Sequence, residues 1–287
     1  MSPYTTPLDT AELRQPLFRR PLAPPLPATH VLGTRIHHAG YQAAVDYIMR
    51  WAHDGVSAYV CTCNVHMVME GYDQGAFQHV VNQADLVTPD SIGVALALSA
   101  YQGHRIGRAS GPDLMLRVCE RAAAAGVRIG LYGATEDCLV QLSARLQAQF
   151  PTLDIACQIA PPFGELEAAQ EAAYVEQINA AQVGLLFVGL GCPKQERWMY
   201  RQRGRIQAVM MGVGAAFDFH AGLKPRAPSW IRRTGLEWAY RLMREPRRLW
   251  KRNVKHSPRF VALALQEAQR LKRQPPPAPR SSTPRRF

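Results

Sequence analysis

No apolar run in this sequence approaches the roughly 20 residues that cross a bilayer. Residues 1–27 carry seven prolines and three arginines and lack the continuous apolar stretch of a signal peptide. The expectation is a chain that starts and stays in the cytosol. Cysteines number six, and only Cys61 and Cys63 are close; no second pair completes a zinc site, so reduced thiols are expected. Neither G-x-G-x-x-G nor G-x-x-x-x-G-K-[ST] occurs, which speaks against a dinucleotide cofactor and against an ordinary NTPase. No repeat of 20–50 residues is present, which excludes solenoids.

Acidic residues are also scarce, 22 against 34 Lys and Arg, for a net charge of +12. The excess sits in one place. Residues 224–287 hold 18 basic side chains against Glu237, Glu245 and Glu267, which leaves the first 223 residues at −3. Trp230, Trp238, Tyr240 and Trp250 are interleaved with these arginines, a pattern that suits an interface with nucleic acid, an anionic membrane or phosphate-bearing substrates. No zinc finger, RNA-recognition signature or helix-turn-helix spacing supports nucleic acid, although a basic nucleic-acid-binding module stays open as an alternative.

What the chain does contain is a β-α alternation. Residues 1–28 read as a disordered or loosely draped Pro-rich arm. Short apolar runs then recur at Val31–Ile36, Ala58–Thr62, Leu86–Thr88, Val127–Tyr132, Leu153–Ile159, Val183–Val188 and Ala208–Met211. Amphipathic stretches at 40–53, 65–82, 91–101, 112–125, 135–149 and 166–180 separate them. This predicts an α/β, Rossmann-like fold over 29–223, a mostly parallel sheet with helices on both faces, with 47% hydrophobic residues to fill its core. A basic helical appendage over 224–273 and an unstructured tail over 274–287 complete the chain. Ligands of such sheets sit beyond the strands' carboxyl ends, so the turns at Thr62–Asn64, Thr88–Ser91, Gly130–Thr135 and Gly189–Arg197 are where chemistry is expected.

Six blocks in order carry a resemblance: Thr62-x-Asn64; Ala84-Asp85-Leu86-Val87-Thr88-Pro89-Asp90; Arg108-x-x-Gly111-Pro112-Asp113-Leu114; Gly189-Leu190-Gly191-x-Pro193-Lys194-Gln195-Glu196; Gly212–Phe219; and Arg226-Ala227-Pro228-x-Trp230 with its continuation to Leu249. Over about residues 30–255 the chain resembles the WecG/TagA/CpsF glycosyltransferases. Ser91 stands where that family often has Gly, and Cys192 where Ser is common. The resemblance implies inverting transfer of a hexose (N-acetylmannosamine, its uronic acid, or glucose) from a UDP-sugar to a polyprenyl-diphosphate-linked saccharide, in cell-surface polysaccharide assembly. It also implies a peripheral enzyme on the inner face of the cell membrane, held there by 224–273; a homo-oligomer is compatible with it. An NAD-dependent nucleotide-sugar epimerase or dehydrogenase is the alternative among enzymes, and it lacks its fingerprint.

Inverting transfer needs a base for the acceptor hydroxyl, and the resemblance assigns Asp90 to it. Read alone, Asp90 is placed as an N-cap of the helix that follows. Asp218, between Phe217 and Phe219, is the second candidate base; its alternative is a buried partner for an arginine. The leaving diphosphate needs cationic stabilisation. No D-x-D occurs, so no metal and no cofactor is expected, and Arg108 is the first candidate, joined by Arg226, Arg232 and Arg241 of the tail. Gly189 and Gly191 offer backbone amides, and Thr62, Asn64 and Gln195 offer neutral hydrogen bonds to sugar or nucleotide, with local turn bonding as the alternative for these three. Lys194 reads as a surface residue, Glu196 as a partner for a helix-start amide, and His66 and His104 as structural. Pro246–Arg273 places Val261, Leu265 and Leu271 among basic residues, as in a helix lying on an anionic leaflet or packed on the body, or both on different faces.

Overall fold

The computed structural model describes residues 18–19, 26–164, 166–228, 230–231, 237–244 and 246–273. Most of the expected arm and all of the tail 274–287 lie outside the described residues. Within the arm, Phe18 N–H donates to Gly204 O (3.1 Å) and Arg19 O accepts from Ser57 N–H (2.8 Å).

The described fold opens with β1 (Ala28–Val31) and β2 (Thr34–His37), an antiparallel hairpin. The single strand expected at Val31–Ile36 is therefore broken at Leu32 and Gly33, whose φ of 50° and 82° make a two-residue turn with the twist hairpins favour. There follow α1 (Tyr41–His53), β3 (Ala58–Cys63), α2 (Val65–Asp73) and α3 (Gly75–Asn82). The helical span expected at 65–82 divides because Gln74 is extended (φ −133°, ψ 94°), which turns Phe77, Val80 and Val81 into the core. The chain continues through β4 (Leu86–Pro89), α4 (Ile92–Gln102), α5 (Gly111–Ala125), β5 (Ile129–Gly133), α6 (Glu136–Gln149), β6 (Ile155–Ile159) and α7 (Ala168–Ala180). Then come β7 (Leu185–Gly189), α8 (Lys194–Gln202), β8 (Val209–Gly212), α9 (Ala216–His220), α10 (Glu237–Arg244) and α11 (Pro246–Arg273).

Six strands form one parallel sheet in the order β4-β3-β8-β7-β5-β6. Strands buried on both faces read as unbroken apolar runs, and alternate residues serve opposite cores. Tyr59, Cys61 and Cys63 join the side covered by α2, α3, α4, α7 and α8; Ala58 and Val60 join the side covered by α1, α5, α6 and α9. Helix starts have local causes: Asn64 accepts from Met67 N–H, Ser91 from Val94 N–H and Thr135 from Cys138 N–H, while Pro112 sits in the first turn of α5. The fold is an α/β, Rossmann-like one.

The appendage helix α11 packs one face on the body, burying Phe260, Ala264 and Ala268 against α2 and α4. Its other face exposes Val261 and Leu265 beside Arg270, Lys272 and Arg273. No helix of the described residues is long and apolar enough to cross a membrane.

Candidate active site

Strands β4, β3, β8 and β7 stand side by side, so the residues just beyond their carboxyl ends form one row: Asp90, Asn64, Gly214 and Gly191. Asp90 is tightly placed. Its N–H donates to Cys63 O (2.8 Å), and its Oδ1 accepts from Gly111 N–H, the first amide of α5 (2.6 Å). The N-cap role expected of Asp90 for the following helix belongs to Ser91; Asp90 instead serves the start of α5, where a carboxylate also meets the positive end of the helix dipole. Ala109 N–H donates to Pro89 O (2.8 Å), which lays the backbone of the 108–111 segment along the end of β4.

Arg108 and Arg226 are bridged by one glutamate. Glu237 of α10 has Oε2 at 3.7 Å from Arg108 Nη2 and Oε1 at 3.7 Å from Arg226 Nε. Arg226 Nη1 also donates to Asp113 Oδ1 (2.8 Å), and Asp113 Oδ2 accepts from Ser110 Oγ (2.8 Å) and Tyr41 OH (3.3 Å). Arg226 Nη2 is buried and has no hydrogen-bond partner among the described residues. A buried guanidinium donor without a partner is uncommon in a folded chain and marks Arg226 as a polar centre of this network. Asp113 and Glu237, not singled out as site residues from sequence, thus belong to this network. Their signal was the scarcity of acids in blocks otherwise rich in arginine.

Other expected site residues are committed to the framework. Thr62 Oγ1 donates to Gly212 O (2.9 Å), a buried strut between β3 and β8. Asn64 Oδ1 caps α2 (3.1 Å). Gln195 Oε1 accepts from both Gly191 N–H and Gly214 N–H (3.1 Å each), and its Nε2 donates to Glu196 Oε1 (2.7 Å). The glycine turn therefore closes on Gln195 and does not hold the Gly191 amide out toward solvent. Gly189 is required by packing: a Cβ there would come within 2.6 Å of the Phe217 ring. Asp218, the second candidate base, is paired with Lys224 Nζ (2.5 Å), a lysine where an arginine was the expected partner. Arg232 lies outside the described residues, and of Arg241 only its place in α10 is described.

Lys194 is exposed, as expected. Glu196 is fully buried, and burial pushes its carboxyl up to about 7, offset only in part by the Gln195 amide, its own backbone and the Cys192 thiol. All six cysteines are thiols; burial and nearby carboxylates hold Cys61, Cys63 and Cys192 well above the usual thiol range, which makes them unreactive. His104 is exposed with its ring nitrogen 3.3 Å from Gln102 O, whereas His66 gathers with Glu70 and His256.

The sequence profile of the glycosyl transferase WecG/TagA/CpsF family matches residues 29–274. An N-acetylglucosaminyldiphosphoundecaprenol N-acetyl-beta-D-mannosaminyltransferase of Bacillus spizizenii is 31% identical over 209 residues, covering 72% of this chain and 79% of the relative. The enzyme of the same name from Bacillus subtilis is 28% identical over 230 residues (79% and 87%), and that of Staphylococcus aureus strain MW2 is 28% identical over 218 residues (75% and 82%). The chain belongs to the glycosyl transferase WecG/TagA/CpsF family and is a glycosyltransferase.

Proposed function

We propose that the chain transfers N-acetylmannosamine from UDP to a polyprenyl-diphosphate-linked N-acetylglucosamine, with inversion at the anomeric carbon and without a metal in the transfer step. The relatives' names favour this sugar and acceptor over the uronic acid or glucose. The observation that carries the chemistry is the juxtaposition at the end of β4: a fixed carboxylate, Asp90, and the Arg108 and Arg226 pair reached through the same 108–113 segment.

Asp90 takes the proton of the acceptor hydroxyl as that oxygen bonds to the anomeric carbon. The bond from that carbon to the β-phosphate oxygen breaks on the opposite face, and UDP leaves with the electron pair. Arg108 and Arg226 take up the growing diphosphate charge, exchanging the carboxylate of Glu237 for phosphate oxygens while Arg226 keeps its bond to Asp113. The absence of any D-x-D in the sequence supports arginine in that role. Asn64, beside Asp90 in the row, caps α2 through Oδ1, and its side-chain N–H groups are the neutral donors this reading assigns to the sugar.

Residues 29–223 form the catalytic unit in this reading, and 224–273 an appendage that completes the site through Arg226 and Glu237. The exposed Trp230, Met243, Val261 and Leu265 among basic residues suit contact with an anionic leaflet on the cytoplasmic side, where the lipid-linked acceptor is presented. Thermal protection by UDP tests the site, since a basic nucleic-acid-binding module would show no preference for it. Stabilisation by UDP and by UDP-N-acetylmannosamine, lost in Arg226→Ala, is expected; equal stabilisation by an RNA oligonucleotide and none by UDP would overturn the reading.

A further inference from the structure

We propose that His66, Glu70 and His256 form a binding site for a divalent transition-metal ion of the zinc class, which fastens α11 to α2. The site is a structural clasp, separate from the transfer step, and it does not depend on which sugar is transferred.

His66 and Glu70 are four residues apart on α2, so both project from one face of the helix. His256 comes to them from α11, and one ligand atom from each of the three lies within 4.8 Å of the others. The spacings within this group are informative. His66 Nδ1 is 3.8 Å and His256 Nε2 is 3.5 Å from the same oxygen, Glu70 Oε1. Both are too long for hydrogen bonds, which run about 2.7–3.2 Å. Ligand atoms bound at about 2.0–2.2 Å around a tetrahedral ion lie about 3.4 Å apart. The two rings are tilted at 54° with centroids 5.3 Å apart, so they converge on Glu70 and do not stack on each other.

The surroundings also fit a metal site. Glu70 Oε2 is taken by Gln74 Nε2 (2.9 Å), and Gln74 Oε1 in turn accepts from Arg197 Nη2 (3.1 Å), which leaves Oε1 directed at the histidines. Outer hydrogen bonds of this kind orient ligating carboxylates. The side chains are 18%, 19% and 5% exposed for His66, Glu70 and His256, shielded but reachable. Two imidazoles and one carboxylate suit zinc rather than magnesium or calcium, and water would supply the fourth ligand.

The position gives the clasp its purpose. Further along α11, Arg259 pairs with Asp73 (2.5 Å) and Glu267 accepts from Leu32 N–H (2.9 Å) and Tyr101 OH (2.7 Å). His256 lies on the same stretch of α11, so an ion held with His66 and Glu70 adds a third fastening of this helix to the body.

Untagged full-length protein, stripped with chelator and titrated with ZnCl2, tests this. We expect one zinc per chain with a Kd below about 10 µM, and a rise in Tm of about 5 °C at saturation. Magnesium at the same concentration gives no shift. His256→Ala and Glu70→Gln each weaken zinc binding at least about tenfold, while His104→Ala, at an exposed histidine elsewhere, leaves it unchanged. Absence of bound zinc at 100-fold the expected Kd, or wild-type binding by both site variants, overturns the proposal. Should a variant fail to fold, Co2+ bound to the wild-type chain decides: the intense visible bands of a four- or five-coordinate ion support the site, and a weak octahedral spectrum contradicts it.

Discussion

Asp90 and Gly111 are joined by a 2.6 Å hydrogen bond from the Gly111 amide to Asp90 Oδ1, so the candidate base and the start of α5 move as one unit. Gly111 itself leaves no slack: a Cβ there would lie 3.1 Å from Thr62 Oγ1, the atom that ties β3 to β8. The orientation of the carboxylate is therefore set by the sheet. Asp90→Asn keeps the accepting oxygen and is expected to melt close to wild type, whereas Asp90→Ala removes the cap and loses about 1 kcal/mol. Urea titration of the two variants checks this.

Glu237 lies 3.7 Å from both Arg108 and Arg226, so in the proposed reaction it would compete with the diphosphate for both. Arg226→Lys keeps the charge but loses the fork that can hold Asp113 and phosphate together, so UDP affinity should fall by roughly 10- to 100-fold. Glu237→Gln should do the opposite, tightening UDP a few-fold because the arginines no longer give up an ion pair on binding. Calorimetric titration of UDP into both variants reads these shifts; a loss of affinity in Glu237→Gln would show the bridge to be a required support.

Gln195 has the hydrogen-bonding pattern of a bracket. Gln195→Ala takes from the Gly191 and Gly214 amides their shared acceptor and from the Glu196 carboxyl one of its donors, and should cost about 3 kcal/mol of stability. The donor KM of the folded fraction should stay within a few-fold of wild type. A large rise in KM with unchanged Tm would place Gln195 on the substrate.

The sheet was legible because strands buried on both faces leave continuous apolar runs such as Ala58–Cys63. The hairpin was not, since its turn residues Leu32 and Gly33 sit within an apolar run, and the break at Gln74 depends on how Phe77 packs in three dimensions. Asp90 falls at a strand end, which by itself reads as a helix cap, and its assignment as base comes from the family resemblance. Its partner Gly111 is not legible in sequence, and neither is the bridge by Glu237, which joins α10 to residues more than a hundred positions earlier in the case of Arg108. Gln195 is a related case: in sequence an amide in a glycine-rich turn leaves ligand binding and turn bonding both open, and the second loop, at Gly214, is what reveals the local bonds.

Two buried groups give the stability opposing pH dependences. His37 accepts from Val87 N–H, and burial with Arg35 nearby pushes it down from 6.5 to about 4. The unfolded chain therefore binds the extra proton between pH 4 and 6.5, and about 3 kcal/mol present above that window is lost as pH falls through it. Glu196 is pushed up from 4.5 to about 7, so the folded state holds the extra proton and stability falls by about 3 kcal/mol as pH rises from 4.5 to 7. Their contributions oppose each other between pH 4.5 and 6.5, so the sum of these two is nearly flat there. Glu196→Gln removes the falling limb: its stability should rise from pH 4 to 6.5 and exceed wild type at pH 8, as denaturant melts across pH would read.

Transfer with Asp90 as base and arginines in place of a metal is open to direct measurement. The direct measurement is transfer from UDP-N-acetylmannosamine to a short-chain lipid-diphosphate N-acetylglucosamine, with magnesium and manganese omitted, in wild type and Asp90→Asn. Wild type should release UDP and form a β-linked product, and Asp90→Asn should lose about 10²- to 10⁴-fold in rate while still binding UDP. Near-wild-type transfer by Asp90→Asn, or transfer that appears only when magnesium or manganese is added, would overturn this mechanism.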